Sequence, residues 1–204
     1  MLRIGLTGGV ACGKSTVSAM LAARGAHYLQ ADTLAHQLYA PGEATYHAVV
    51  EHFGRDILSP DGTIDRGRLA DVAFPLRIAE LNAIVHPAVV AAQNRWMADA
   101  ERSDPDGVVV VEAALLLEAA ADKDFDKLIV VTCKFDQKVE RYAHRADISL
   151  EAARAEVQRR SAAQMPDEEK ARRADYVIDN SGLIDDTARQ VDAVWAELRK
   201  NPAH

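Results

Sequence analysis

The feature that most constrains this chain is the run GLTGGVACGKSTV, Gly5 to Val17, because it contains G-x-x-x-x-G-K-S from Gly8 to Ser15. Glycines at that spacing let the backbone curl until successive N–H groups point inward at phosphate oxygens. The helix that follows adds its positive N-terminal end. The motif therefore needs a strand before it and a helix after it. Leu2 to Leu6 reads as a short buried strand. Ser15 to Arg24 reads as a helix with Val17, Met20 and Leu21 on one face, and Gly25 stops it. His27 to Ala31 reads as a second strand. Such an opening implies a triphosphate site. Gly8, Gly9, Ala11, Cys12 and Gly13 form the cradle, and Lys14 reaches the β- and γ-phosphates. Ser15 offers a hydroxyl to Mg²⁺, and Thr16 one to an α-phosphate oxygen.

From Asp32 to about Asp104 the texture becomes helical. Asp32 can N-cap a helix carrying Leu34, Ala35 and Leu38, which Pro41-Gly42 breaks. Glu43 to Phe53 reads as another helix, Ser59 to Arg66 as a turn-rich connector, and Arg68–Ala83 and Pro87–Arg102 as two more helices. About seventy residues without a convincing strand is too long for a simple crossover, so this stretch reads as a helical insertion. Val108 to Val111 and Lys127 to Cys133 are solid β-branched runs, the pattern of strands buried on both faces of a parallel sheet. Residues 135–163 read as helical and strongly charged, Asp175 to Asp179 as a last strand, and Ile184 to Lys200 as an amphipathic helix. The expected fold class is α/β, with about five parallel strands.

The 204 residues suit one sizeable core with an insertion, and the formal net charge of −7 argues against a general nucleic-acid binder. An anion must then be bound by a local cluster of cations. Two cysteines, Cys12 and Cys133, make no disulfide framework, and no apolar run is long enough to span a bilayer. The sequence carries no signal-like h-region, and a cytoplasmic location is expected.

A phosphate loop alone does not choose a reaction. Phosphoryl transfer to a hydroxyl needs a carboxylate near the acceptor and cations that close over the phosphates. Asp32, at the end of the second strand, is the best-placed carboxylate, although a plain helix cap is as good a reading of its position. Arg141 and Arg145 lie one turn apart on the charged helix, where the plainer reading is a solvated face. His36, Arg66 and His86 lie in the insertion. Cys12 sits by a helix N-terminus and Lys14, a setting that lowers a thiol pKa and suggests a modifiable handle on the loop; a small residue filling space is the plainer reading. If Ala11 has φ > 0, it carries about 1 kcal/mol of strain or more.

The sequence resembles the dephospho-coenzyme A kinase family over nearly its whole length. IGLTGGVACGKSTV, ADTLAH, FGRDILSPDGTIDRGRLADVAF, LNAIVHPAV, EAALLLE, DQKVERYAHR and AAQMPDEEKARRADYVIDNSG carry the resemblance in that order. It implies transfer of ATP's γ-phosphate to the ribose 3′-hydroxyl of dephospho-CoA, with Mg²⁺. It also implies a P-loop three-layer α/β/α core over residues 1–31, 105–134 and 165–204, a helical substrate-binding insertion over 32–104, and a helical lid over 135–164. Asp32 then matches the catalytic carboxylate. Lys14, Arg141 and Arg145 neutralise the transferring group, Asn180 joins the ATP site, and His36, Arg66 and His86 fall on the substrate side. A carboxylate is a weak base, so Asp32 acts mainly by orienting the hydroxyl. Lys170 also matches a family position, with no role fixed. The partners implied are ATP and dephospho-CoA, with no nucleic acid, membrane or obligate protein partner. Four departures stand out. Gln30 stands where the family often has an Asp, so any share of that Asp in holding Mg²⁺ through water falls here to Ser15, Asp32 and Glu112. Ala114 and Leu117 replace a frequent Pro and Phe, and Ala11-Cys12 replaces Gly-Ser. Two other readings remain open at this point: a small-molecule kinase with another acceptor, and a nucleotide-switched binding protein.

Overall fold

The apolar runs that read as strands join one five-stranded sheet, in which His27–Gln30, Val108–Glu112, Leu2–Gly8, Lys127–Thr132 and Tyr176–Asp179 lie side by side in that order. The computed structural model describes residues 1–73 and 76–200. In chain order the elements are β1 (Leu2–Gly8), α1 (Lys14–Ala23), β2 (His27–Gln30), α2 (Ala31–Gln37), α3 (Ala44–Phe53), α4 (Arg66–Ala73) and α5 (Ile78–Ser103). They continue with β3 (Val108–Glu112), β4 (Lys127–Thr132), α6 (Phe135–Ala146), α7 (Leu150–Ala162), α8 (Asp167–Arg173), β5 (Tyr176–Asp179) and α9 (Ile184–Lys200). The central strand β1 pairs in parallel with β3, from Leu2↔Val108 to Leu6↔Glu112, and with β4, from Ile4↔Lys127 to Gly8↔Val131. β4 pairs in parallel with β5.

Side chains alternate across a strand, and here both faces are apolar. On one face Ile4, Leu6, Val110, Ile129, Val131 and Ile178 pack against Val17 and Leu21 of α1 and Val191, Val194 and Leu198 of α9. On the other, Leu128 and Val130 pack with Leu116 and Leu117, joined by Phe125, Met165 and Ala174. Burying each such side chain contributes roughly 1.5–3 kcal/mol. Because β1 is paired on both edges and packed on both faces, the loop that follows it leaves from the centre of the sheet.

The chain forms two compact units, Met1–Leu29 with Ala100–His204, and Gln30–Asp99. The second has its own core of Val49, Phe53, Ile57, Leu69, Ala73 and Leu81. Its turn-rich connector is closed by an antiparallel bridge between Leu58 and Ile64 and by the Thr63 N–H donating to Asp61 Oδ1 at 3.0 Å.

Several boundaries differ from the sequence reading. β2 ends at Gln30, not Ala31, and Gln30 is the N-cap of α2 with extended φ −99°, so Asp32 lies inside the first turn and caps nothing. The two helices expected over Arg68–Ala83 and Pro87–Arg102 are instead α4 and a 26-residue α5 that continues through Pro87. Phe74 and Pro75, part of the first stretch, lie outside the described residues. Proline removes one helical donor. Here α5 carries buried residues on both sides of it, Leu81 before and Ala92, Met97 and Ala100 after. The charged stretch after β4 is two helices, because Asp147 turns left-handed (φ 52°) and Ser149 caps α7 by accepting from the Ala152 N–H at 3.2 Å. Aspartate tolerates that conformation better than most residues. Among the described residues, no helix is long and apolar enough to cross a membrane.

Candidate active site

The loop from Gly8 to Gly13 follows β1 directly, and each of its glycines is forced by a neighbour. A Cβ on Gly8 would lie 2.2 Å from the Val131 carbonyl oxygen; one on Gly9 would lie 2.6 Å from both Lys138 Nζ and Asp167 Oδ1. On Gly13 it would lie 2.0 Å from Asn180 Nδ2, and Gly13 also holds the left-handed φ of 92°. Ala11 is left-handed too, at φ 53°, so it carries the strain that glycine would avoid. Gly13 caps α1 without a side-chain bond. The first N–H groups of a helix have no intrahelical acceptor, so this helix start is left to bind an anion. Lys14 Nζ lies over the loop and donates to the Gly8 and Gly9 carbonyls at 3.1 Å each. Ser15 is exposed at the first turn, and Thr16 is half-buried beside it.

Behind the loop stand residues from α6, α8 and the end of β5. Arg141 donates from Nη2 to the Asn180 carbonyl at 2.9 Å and from Nη1 to the Cys12 carbonyl at 3.4 Å. Asn180 is buried and donates from Nδ2 to the same Cys12 carbonyl at 2.8 Å. Arg145 is not drawn in: it is exposed and stacks on Tyr142, 5.3 Å from the ring centre. Sequence reasoning missed Lys138 and Asp167. They form an ion pair whose lysine side chain is only 6% exposed, lodged against Gly9. Lys138 lies one turn before Arg141, the spacing that puts both on one helix face, and that was its signal. Asp167 gave none. Lys170, on the same short α8, is fully buried and pairs with Glu118 at 2.9 Å. Burial raises the Glu118 pKa, but hydrogen bonds from Lys170 and the Met165 N–H more than offset it, so the carboxyl ends below the ordinary glutamate value.

Cys12 corrects an expectation. Its side chain is fully buried, and burial pushes the thiol pKa up, against the opposing pull of Lys14 and Lys138. The helix-end setting loses to desolvation, so Cys12 is a space-filling residue under Gly8 and no reactive handle.

In the second unit, Asp32, His36 and Arg66 share one electrostatic neighbourhood. Desolvation first, and then Arg66, lower the His36 pKa, while Asp32 pulls it up. His36, Tyr39 and Arg66 line a cavity of about 440 Å³ floored by Ile64, Leu69 and Leu81. Burial raises the Tyr39 pKa, so its phenol stays protonated. His86 lies exposed on α5 and does not line this cavity. Gln30 Oε1 accepts from Thr33 Oγ1 at 2.7 Å. In the first unit, Glu112 is buried below the loop, and its Oε2 accepts from Ser18 Oγ at 3.0 Å and Tyr28 Oη at 2.7 Å. Among the described residues, no group of three or more His, Cys, Asp or Glu side chains could hold a metal ion. A magnesium ion held mostly by phosphates, water and one hydroxyl needs no such group, and the exposed Ser15 is compatible with that arrangement.

Comparison with known proteins bears on this arrangement along the whole chain. The family model described as CoaE, dephospho-CoA kinase, matches residues 2–186. The dephospho-CoA kinase of Aquifex aeolicus is 41% identical over 204 residues, covering 99% of this chain and all of that one. That of Geobacter metallireducens is 43% identical over 205 residues, with 99% and 100% covered. A crystal structure from Thermus thermophilus superposes with a TM-score of 0.78 at 33% identity, covering 97% of each chain. Relatives this similar at full length, on a sheet and loop of this kind, leave one assignment: the chain belongs to the dephospho-CoA kinase family and is a kinase.

Proposed function

We propose that this chain transfers the γ-phosphate of ATP to the ribose 3′-hydroxyl of dephospho-CoA, giving CoA and ADP. The observation that carries the reading is the phosphate loop with Arg141 docked on it, in a chain of this family. In-line phosphoryl transfer asks a protein chiefly to position the reactants and neutralise charge. The inward N–H groups of the loop and the start of α1 receive the phosphates, and Lys14 follows the charge to the γ-phosphoryl. Arg141 borders the nucleotide from behind the Cys12–Gly13 peptide. Arg145, stacked on Tyr142, is the arginine that turns to the phosphates while α6 stays docked on the loop through Lys138 and Arg141, and closure of the rest of the segment 135–164 as a lid excludes water.

Asp32 accepts a hydrogen bond from the 3′-hydroxyl, orients it for attack, and takes its proton late. His36 and Arg66 hold the acceptor, with Arg66 suited to its diphosphate. The cavity they share with Tyr39 is large enough for a heterocycle or part of the pantetheine arm. Magnesium, when bound, neutralises phosphate charge; Ser15 Oγ and the phosphates would hold it, with water completing the shell. Glu112 serves as support below the loop, since Ser18 and Tyr28 already engage its carboxylate.

The deciding experiment couples ADP release to a panel of acceptors. ADP formation with dephospho-CoA, at a rate far above that with nucleosides, shikimate or sugars, is expected. Phosphorylation of another alcohol and none of dephospho-CoA would sink the proposal. ATP binding without turnover on any acceptor would point to a nucleotide-switched binding protein.

A further inference from the structure

Asn180 lies at the end of β5, far from the loop in sequence, yet its side chain is bonded to that loop and all four of its polar groups are engaged. Only 5% of it is exposed. Its Nδ2 donates to the Cys12 carbonyl at 2.8 Å, and its Oδ1 accepts from Thr187 Oγ1 at 2.9 Å. Its backbone N–H donates to the Thr132 carbonyl at 2.8 Å, and its own carbonyl accepts from Arg141 at 2.9 Å. The Cys12 carbonyl is thus gripped by two donors from two elements.

That grip has a consequence for the neighbouring N–H. A carbonyl and the next residue's N–H lie in one rigid plane and point in opposite directions. Fixing the Cys12 carbonyl behind the loop therefore fixes the Gly13 N–H toward its inside. Gly13, at φ 92° and ψ 29°, is the joint least restrained by its own chemistry. Thr187 contributes the other half. An asparagine amide can present either end, and its surroundings choose which. Fully buried Thr187 donates to Oδ1, and this keeps Nδ2 turned to the Cys12 carbonyl. Without that donor the amide can turn its oxygen to the carbonyl, and the grip becomes a repulsion.

We infer that Asn180 is a positioning residue for nucleotide binding: oriented by Thr187, it clamps the Cys12–Gly13 peptide and sets ATP affinity with no contact to the nucleotide through its side chain. This rests on reading the loop as an ATP site.

The test uses the full chain with Thr187→Val, Thr187→Ser and Asn180→Asp. Valine keeps the shape and removes the donor. ATP KM and dissociation constant should rise about tenfold, the effect of losing one buried hydrogen bond of about 1.4 kcal/mol. The KM for dephospho-CoA should stay within about twofold, and Thr187→Ser should restore wild-type values. Asn180→Asp should weaken ATP further, because a carboxylate then faces the Cys12 carbonyl. In nucleotide-free protein the Gly13 amide resonance should move in Thr187→Val and not in Thr187→Ser. Unchanged ATP affinity in Thr187→Val overturns the inference, as does equal loss of both substrates with a lowered melting temperature. A wild-type chain that binds no ATP refutes the ATP reading instead; the Gly13 resonance then still judges the clamp, and its immobility in Thr187→Val would overturn it.

Discussion

Asp32 is the side chain on which the proposed chemistry turns, and its position separates catalysis from architecture. It lies in the first turn of α2, exposed, with Gln30 taking the cap. A cap lost to mutation costs stability, whereas an orienting carboxylate lost costs rate. Asp32→Asn should therefore leave the melting temperature and ATP affinity nearly unchanged while turnover drops at least about 10²-fold. Near-normal turnover in steady-state kinetics would remove Asp32 from the mechanism. The two thiols give a second residue-level expectation. Burial raises both, Cys133 to about 11. A thiol of that pKa is only about 10⁻³ thiolate at pH 8. Folded protein should react slowly with a thiol reagent at pH 8 with or without ATP, and denatured protein should release two equivalents at once. Rapid ATP-sensitive labelling of Cys12 would restore the reactive reading.

At the scale of elements, α6 and α8 are tied to the loop by Lys138 and Asp167. Removing one partner leaves a nearly buried charge alone, which costs about 3–5 kcal/mol for a wholly buried pair. Asp167 is 29% exposed, so about 2–3 kcal/mol is the fitting expectation for Asp167→Ala. Adding Lys138→Met should recover most of it, as read from urea midpoints. Equal loss in the single and double variants would mean that the pair contributes little. The sheet was legible because doubly buried strands are continuous runs of Val, Ile and Leu, and the loop because its spacing follows from phosphate geometry. The Lys138–Asp167 pair was not, because its partners meet only once α8 packs against β4. Nor was the fate of Cys12: sequence shows the nearby charges but not the burial that outweighs them. The break at Asp147 was not legible either, because Asp147-Ile148-Ser149 holds no Gly or Pro to mark it and the residues on either side suit a helix equally well.

For the molecule as a whole, a chain of net charge −7 is proposed to bind two polyanions. It does so with local fields, since a helix start, a lysine and an arginine are gathered on one loop while the excess acid is spread elsewhere. Binding energy placed on that one loop should appear as global stability. ATP at about 100 times its dissociation constant should add about 2.7 kcal/mol. For a chain of this length that is a rise of about 5–10 °C in melting temperature. Lys14→Ala should abolish the rise; an unchanged rise in that variant would place the nucleotide elsewhere.

The crowding around the loop glycines also predicts its suppressor genetics. Gly8 is hemmed in by backbone, the Val131 carbonyl, and no second mutation can move that atom away. An alanine at Gly13 would keep its left-handed strain after Asn180 was trimmed, and the trimming would itself release the Cys12 carbonyl, so no second change there restores the loop. Of the three, Gly9 alone is crowded only by side chains, Lys138 and Asp167, and has no left-handed φ. A selection for revertants of Gly9→Ala should therefore yield shortened residues at positions 138 and 167, while Gly8→Ala and Gly13→Ala should revert only at their own codons.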